Sequence, residues 1–217
     1  MTENNKVFDN GGINYLLPVS ERSSEWYYCQ DIPYGDLYEA EELFRMGKKL
    51  EGNDLCLIRY PSGEQFRPLP KAEGVFIGKP VMEDGLIYIL SVDFPANRII
   101  ISTFSCGDYS VGEAANMSLD VVEDCYNLML RERTVTLSRQ PNDRTFQIVW
   151  PENITFPVGT TESFYYRDGD ELFFSRWFED PDYREETVVR DAKTGKLIAV
   201  FPGTMTVMPG GEKWFIK

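Results

Sequence analysis

A hairpin that recurs on one plan constrains this chain more than any other feature. K-V-F-D-N-G-G-I-N-Y-L-L-P-V (6–19), L-I-R-Y-P-S-G-E-Q-F-R-P-L-P (57–70) and V-V-R-D-A-K-T-G-K-L-I-A-V-F-P-G (188–203) each read as strand, glycine turn, strand, proline. T-V-T-L-S-R-Q-P-N-D-R-T-F-Q-I-V-W-P (134–151) repeats the plan without the glycine. Short runs of Val, Ile, Thr, Phe and Tyr bounded by Gly, Pro, Asn and Asp are strand signals, and Asn10-Gly11-Gly12 supplies the positive φ that a tight hairpin requires. Further turn-linked pairs pass through Glu83-Asp84-Gly85, Glu123-Asp124, Asp168-Gly169-Asp170 and Pro209-Gly210-Gly211. Their second strands begin near Leu86, Cys125, Glu171 and Lys213, about 40 residues apart, a spacing that suits repeats of four strands each.

One helix interrupts the strands. Over Asp36–Lys49, Leu37, Ala40 and Phe44 fall on one side at helical spacing, with Leu43 and Gly47 alongside. Asp36 with Glu39 makes a capping box. The acidic first turn and the Lys48-Lys49 end both suit the helix dipole. Met1 to Asn5 read as a loose tail.

Composition removes several functions. There are 22 Lys and Arg against 35 Asp and Glu, a net charge of −13. A surface that displaces counterions from phosphate needs clustered positive charge, so neither a nucleic-acid nor a membrane partner is expected. Arg131, Arg133, Arg139 and Arg144 form a local basic run that reads as a solvated face. There is no histidine, which removes Ser-His-Asp and Cys-His activation and histidine-ligated metals. The four cysteines (Cys29, Cys56, Cys106 and Cys125) lie too far apart for a C-x-x-C pair and read as buried free thiols. The first residues carry no signal-peptide pattern and no segment is apolar enough to span a bilayer, which implies a cytoplasmic protein. No metal or other cofactor site is expected.

The hairpin plan, with turns such as D-A-K-T-G-K and P-G-G-E-K-W, resembles the β-propeller architecture without matching a particular propeller family. The resemblance implies an all-β fold of about five blades in one domain over residues 6–217. One blade would hold Trp26–Pro70 with the helix inserted; three more would span 74–114, 118–151 and 154–202. The last would be shared: Thr204–Ile216 would supply its two inner strands and Lys6–Val19 its outer hairpin, closing the ring. A β-sandwich or two small β domains is the alternative. On the propeller reading the inner strands run near 26–29, 75–79, 118–122, 155–159 and 204–208. Five-bladed propellers include glycoside hydrolases that work with paired channel carboxylates. Here those strands offer Asp120 as their single acid and Lys79 as their single base, so no catalytic set is assigned.

By subtraction, the chain reads as a non-catalytic scaffold that binds a protein or peptide on one rim. Arg98, Arg131 and Asp180, on loops expected at one channel mouth, are the candidate contacts. A carbohydrate-binding or glycoside-hydrolase-like protein, using Asp120 and aromatics such as Trp177, is the alternative. The consecutive aromatics at Trp26–Tyr28, Phe164–Tyr166 and Phe173–Phe178 also have a structural reading, as strands buried on both faces. The acidic stretches Asp168–Glu171 and Glu179–Glu186 read as solvated turns and not as calcium sites.

Overall fold

The computed structural model describes residues 7, 9, 12, 13, 15–20, 23–208 and 210–217. The expected tail (1–5), the Asn10-Gly11 part of the first turn, residues 21 and 22 of the Ser20–Ser24 loop and Pro209 lie outside the described residues. Among the described residues the fold is all-β: several small antiparallel sheets, none closed on itself, and one α-helix. The chain divides into two compact units, Met1–Cys125 and Tyr126–Lys217. Among the described residues no helix is long and apolar enough to cross a membrane.

The first sheet of unit 1 has the order β1 (Leu17–Pro18), β2 (Trp26–Gln30), β3 (Leu55–Arg59), β4 (Gln65–Phe66). Side chains alternate across a strand, and here both faces are covered. Trp26, Tyr28, Leu55 and Leu57 join one buried cluster with Ile77, Ile87, Ile89 and Phe104. Cys29, Cys56 and Ile58 form a second cluster with Tyr27 packed against it. This explains the consecutive aromatics of β2. The β3–β4 turn runs through Pro61-Ser62-Gly63 as the sequence implies, with the Gly63 N–H donating to the Arg59 carbonyl at 2.7 Å.

Helix α1 (Leu37–Arg45) connects β2 to β3. Its capping box is complete: the Glu39 N–H donates to Asp36 Oδ1 at 2.9 Å and the Asp36 N–H to Glu39 Oε2 at 3.0 Å. The helix is shorter than expected, because the chain turns left-handed at Gly47, φ +74°. The Lys48 N–H then reaches the Leu43 carbonyl and the Gly47 N–H the Phe44 carbonyl, the paired bonds of a Schellman stop. Lys48 and Lys49 therefore lie beyond the helix.

The second sheet orders β5 (Val75–Ile77), β7 (Leu86–Asp93), β8 (Arg98–Ser105) and β9 (Val111–Ser118), with β6 (Val81–Glu83) also paired to β7. Asp84 and Gly85, both at positive φ (49° and 76°), make the two-residue turn that matches the twist of a β6–β7 hairpin. The Gly- and Ala-rich stretch after Cys106 carries strand β9. One expectation changes here. Residues 118–122, expected as an inner strand, end β9 and enter a 3-10 turn, Leu119–Val121. The Ser118 hydroxyl accepts from the Asp120 N–H; such a local side-chain bond competes with strand pairing and turns the chain.

Unit 2 has two four-stranded meanders and a two-stranded ribbon. The first is β10 (Met129–Arg131), β11 (Thr136–Asn142), β12 (Thr145–Trp150), β13 (Ile154–Pro157); the second is β14 (Glu162–Asp168), β15 (Glu171–Phe178), β16 (Arg184–Asp191), β17 (Leu197–Pro202); the ribbon is β18 (Thr204–Val207) and β19 (Lys213–Ile216). Phe146 and Phe156 of the first meander pack on Phe164 and Phe174 of the second. The opposite face of the second meander, Phe173 and Val189, packs on Met205, Val207 and Phe215 of the ribbon. Phe173 and Phe174 thus serve different cores, again the two-faced burial that adjacent aromatics imply. At Gly203 the chain passes from β17 to β18 at φ +89°, where a Cβ would lie 2.0 Å from the Ile216 carbonyl oxygen; the Pro-Gly stop is a steric necessity.

Several sequence expectations are corrected. Residues 155–159 do not open a sheet; Ile154–Pro157 is the last strand of the first meander, paired to β12. The stretch expected to complete the final sheet does not do so in its described part. Leu17–Pro18 pairs with β2, and β18 pairs with β19. The basic run is not one solvated face: Arg139 is fully buried, Arg131 and Arg133 are half-buried, and Arg144 is exposed. Residues Thr136–Arg139 of β11 are buried in succession, so both faces of the strand are covered there. None of the four cysteines is in a disulfide among the described residues; Cys29, Cys56 and Cys125 are buried, while Cys106 is half-buried. Burial pushes the thiols of Cys56 and Cys106 up to about 11.

Candidate ligand cleft

Unit 1 contains a cleft of about 200 Å³ where helix α1 faces the β7–β8 turn and the 3-10 turn. Each wall follows from local sequence. Phe44 lies on the apolar side of α1 and stacks on Phe94, ring centroids 5.4 Å apart, to make the apolar floor. The turn Phe94-Pro95-Ala96-Asn97 closes by an Asn97 N–H bond to the Phe94 carbonyl. Asn97 adopts φ +56°, a conformation Asn tolerates better than most residues. Its carbonyl accepts from the Leu119 N–H at 2.9 Å, which ties the two turns together.

The charged groups of the cleft are fixed in place. Asp120 Oδ2 accepts from Asn97 Nδ2 at 3.0 Å and from Ser118 Oγ at 2.9 Å. The Asn97 bond, then the Ser118 bond, hold its carboxyl below the usual carboxylate range, since bonds to the charged form favour it. Glu41, on the covered side of α1, is buried. Its carboxylate accepts from Arg45 Nη2 and from the Cys125 N–H, each at 2.6 Å. Arg45 Nη2 also donates to the Glu123 carbonyl at 3.1 Å. The single guanidinium is thus committed to Glu41 and to a main-chain oxygen, which leaves the carboxylates of Asp120 and Glu123 as the charge presented to an occupant.

The residues singled out from sequence fall in both units. Arg98 and Asp120 belong to unit 1. The turn before Arg98 carries Asn97 to Asp120, but the Arg98 guanidinium runs along the sheet to Asn116 Oδ1, with Nε 2.7 Å away. Asp120 sits on the 3-10 turn and not on a strand. In unit 2, Arg131 ends β10 with its guanidinium 5.6 Å from the Phe164 ring centroid. Trp177 is 42% exposed on β15. Asp180 follows that strand, its carbonyl accepting from Arg184 Nη1 at 3.1 Å. Of the two acidic stretches, the first meets lysines: Asp168 pairs with Lys213 and Asp170 with Lys193.

Sequence reasoning missed Glu41, Arg45 and Asn97. The capping box placed Glu41 on a helix, and Pro-Ala-Asn marked a turn. Neither could indicate that residues 41, 97 and 120 meet.

No family model matches this chain and no curated protein does. Among solved structures, a prolyl endopeptidase aligns over 87% of this chain at 12% identity with a TM-score of 0.41; the chain spans 28% of that protein's length. A protein provisionally assigned as a 6-phosphogluconolactonase from Bacteroides uniformis ATCC 8492 aligns over 91% of this chain and 75% of its own, at 12% identity and a TM-score of 0.32.

Proposed function

We propose that the five sheets are blades of a small β-propeller forming one domain, and that the chain is a non-catalytic binding protein whose α1 cleft takes a basic group of a protein or peptide partner. The observation that carries this reading is the state of Asp120. A catalytic acid needs a carboxyl raised toward working pH. Asp120 is held the other way, as a permanent anion beside an apolar floor. Such a group suits a cationic side chain with an alkyl stem. The net charge of −13 draws basic partners to the surface at long range.

Titration of the 15N-labelled protein with N-acetyl-arginine amide tests the proposal. Saturable shifts are expected at Asn97, Leu119 and Asp120, and Asp120→Asn should weaken binding by about tenfold, the loss of one charge-assisted bond. Because the carboxyl is depressed, binding should be complete above its ordinary pKa of 3.8 and fade only as pH falls below it. Shifts that are absent, or unchanged in Asp120→Asn, overturn the reading.

A carbohydrate partner is the second reading, and one surface of unit 2 favours it. Exposed Trp177 lies directly across from Glu185 in the β15–β16 pair, and the Tyr183 hydroxyl donates to the Glu185 carboxylate. An aromatic face beside a fixed carboxylate is chemistry that suits a sugar ring. Glycan-array binding that disappears in Trp177→Ala is the expected result; an array left blank by the native protein sinks this reading.

A further inference from the structure

Unit 2 contains a cationic group left over by its own interior. Between the two meanders lie several arginines, and nearly all are matched. Arg167, 3% exposed in its side chain, pairs with Glu152 and donates to Thr136 Oγ1 at 3.0 Å. Arg190 and Arg176 meet Glu162, and Arg176 also meets Glu186. Arg131 is different. It is half-buried and lies over Phe164; its Nε, like those of Arg139 and Arg176, is shielded from solvent without an acceptor, and its guanidinium makes no ion pair or hydrogen bond among the described residues. The second observation is Ser138. Arg131 lies directly across from Thr136, and Ser138 is two residues further along β11 on the same face. Ser138 is fully buried, and its Oγ has no partner.

Covering a guanidinium without an anion is unfavourable. This chain has 35 carboxylates to offer, yet none is placed here. Desolvation lowers the Arg131 pKa, with no carboxylate opposing it. A ring face offsets part of the loss, but it leaves the guanidinium's parallel donors, the fork that fits a carboxylate, without an acceptor.

We infer that Arg131, backed by Phe164 and Ser138, is a binding site for a monocarboxylate carried on an apolar or aromatic stem. One guanidinium matches one negative charge. The ring of Phe164 matches the stem. This site is separate from the α1 cleft and stands whether or not that cleft binds a basic group.

The Nε–Hε resonance of Arg131 reports on the site directly. Sodium benzoate, N-acetyl-phenylalanine and its carboxamide would be titrated at constant ionic strength, with sodium chloride and sodium phosphate as controls. Both carboxylates are expected to shift the Arg131 resonance saturably, and the carboxamide and both salts to leave it in place. Tighter binding of N-acetyl-phenylalanine assigns the acid to a peptide C-terminus; tighter binding of benzoate assigns it to a free small acid. Arg131→Gln should weaken binding tenfold or more, read from backbone amides around Phe164. Arg131→Lys, which keeps the charge and the stem but loses the fork, should bind at intermediate strength and guards against a variant that fails to fold. A response that is linear in ligand, equal for phosphate, or unchanged in Arg131→Gln overturns the assignment.

Discussion

Replacing Glu162 with alanine is expected to destabilise unit 2 by about 3–5 kcal/mol, the usual consequence of removing one partner from a buried ion pair. The Glu162 side chain is 2% exposed. Its two oxygens accept from Arg190 Nε at 3.0 Å and Arg190 Nη2 at 3.1 Å, a bidentate pair, with Arg176 Nη1 at 3.6 Å. Its carboxylate holds the start of β14 against β16. Truncation leaves Arg190 covered and without its carboxylate, and the penalty of that orphaned charge exceeds the worth of the pair itself. Domains are stable by only about 5–15 kcal/mol, so the loss is a large fraction of the total. Chemical denaturation of the native protein, Glu162→Ala, Arg190→Met and the double variant measures it. The double variant should recover much of the loss, because neither charge is then stranded. A loss below about 1 kcal/mol for Glu162→Ala, the size typical of exposed pairs, would contradict the buried-pair account.

The same residue shows what the sequence could and could not convey. Turn chemistry was legible. Asp84-Gly85, Pro61-Ser62-Gly63, Pro95-Ala96-Asn97 and Asp168-Gly169-Asp170 all turn where their residue types require positive φ or a chain reversal, whereas the expected repeat boundaries at 118 and 154 fall on the last strands of the sheets that precede those beginning at Met129 and Glu162. The capping box was legible because both its bonds lie within four residues of sequence. The end of β9 at Ser118 was not, since apolar Leu119, Val121 and Val122 gave a strand pattern that a local serine bond overrode. Charge pairing across strands was also hidden. Glu162 precedes Arg190 by most of a meander, and nothing in either neighbourhood marks them as partners. The four arginines from 131 to 144 looked alike for this reason. Their fates diverge because both faces of β11 are covered at Arg139 and the end of the β11–β12 hairpin is open. The candidate cleft was half legible: Asp120 was named for its acidity on the wrong element, whereas Asn97, beside the expected contact Arg98, and Glu41 emerged only from tertiary packing.

Trp26→Ala is the second large effect and bears on the proposed ring. Trp26 is 1% exposed and is enclosed by Phe104, Phe66 and Tyr109, at centroid distances of 5.5, 5.6 and 6.4 Å. Removing a buried aromatic of this size costs about 3–5 kcal/mol through lost burial and the cavity left behind. The variant is expected to lose that much by denaturation, and amide exchange of β2, β3 and β7 should accelerate accordingly. The informative readout is in unit 2. Separate small domains open independently, so the protection of β11, β12 and β15 would keep its native value. In a single closed ring the most protected amides exchange only through global unfolding, and their protection falls by the full destabilisation wherever they lie. The propeller proposal therefore requires an equal loss at Ile148 and Phe174, far along the chain from the substitution. Glu162→Ala supplies the converse, with equal loss required at Leu57 and Ile89. Protection that falls in one unit alone, in both variants, identifies two small β domains and removes the ring.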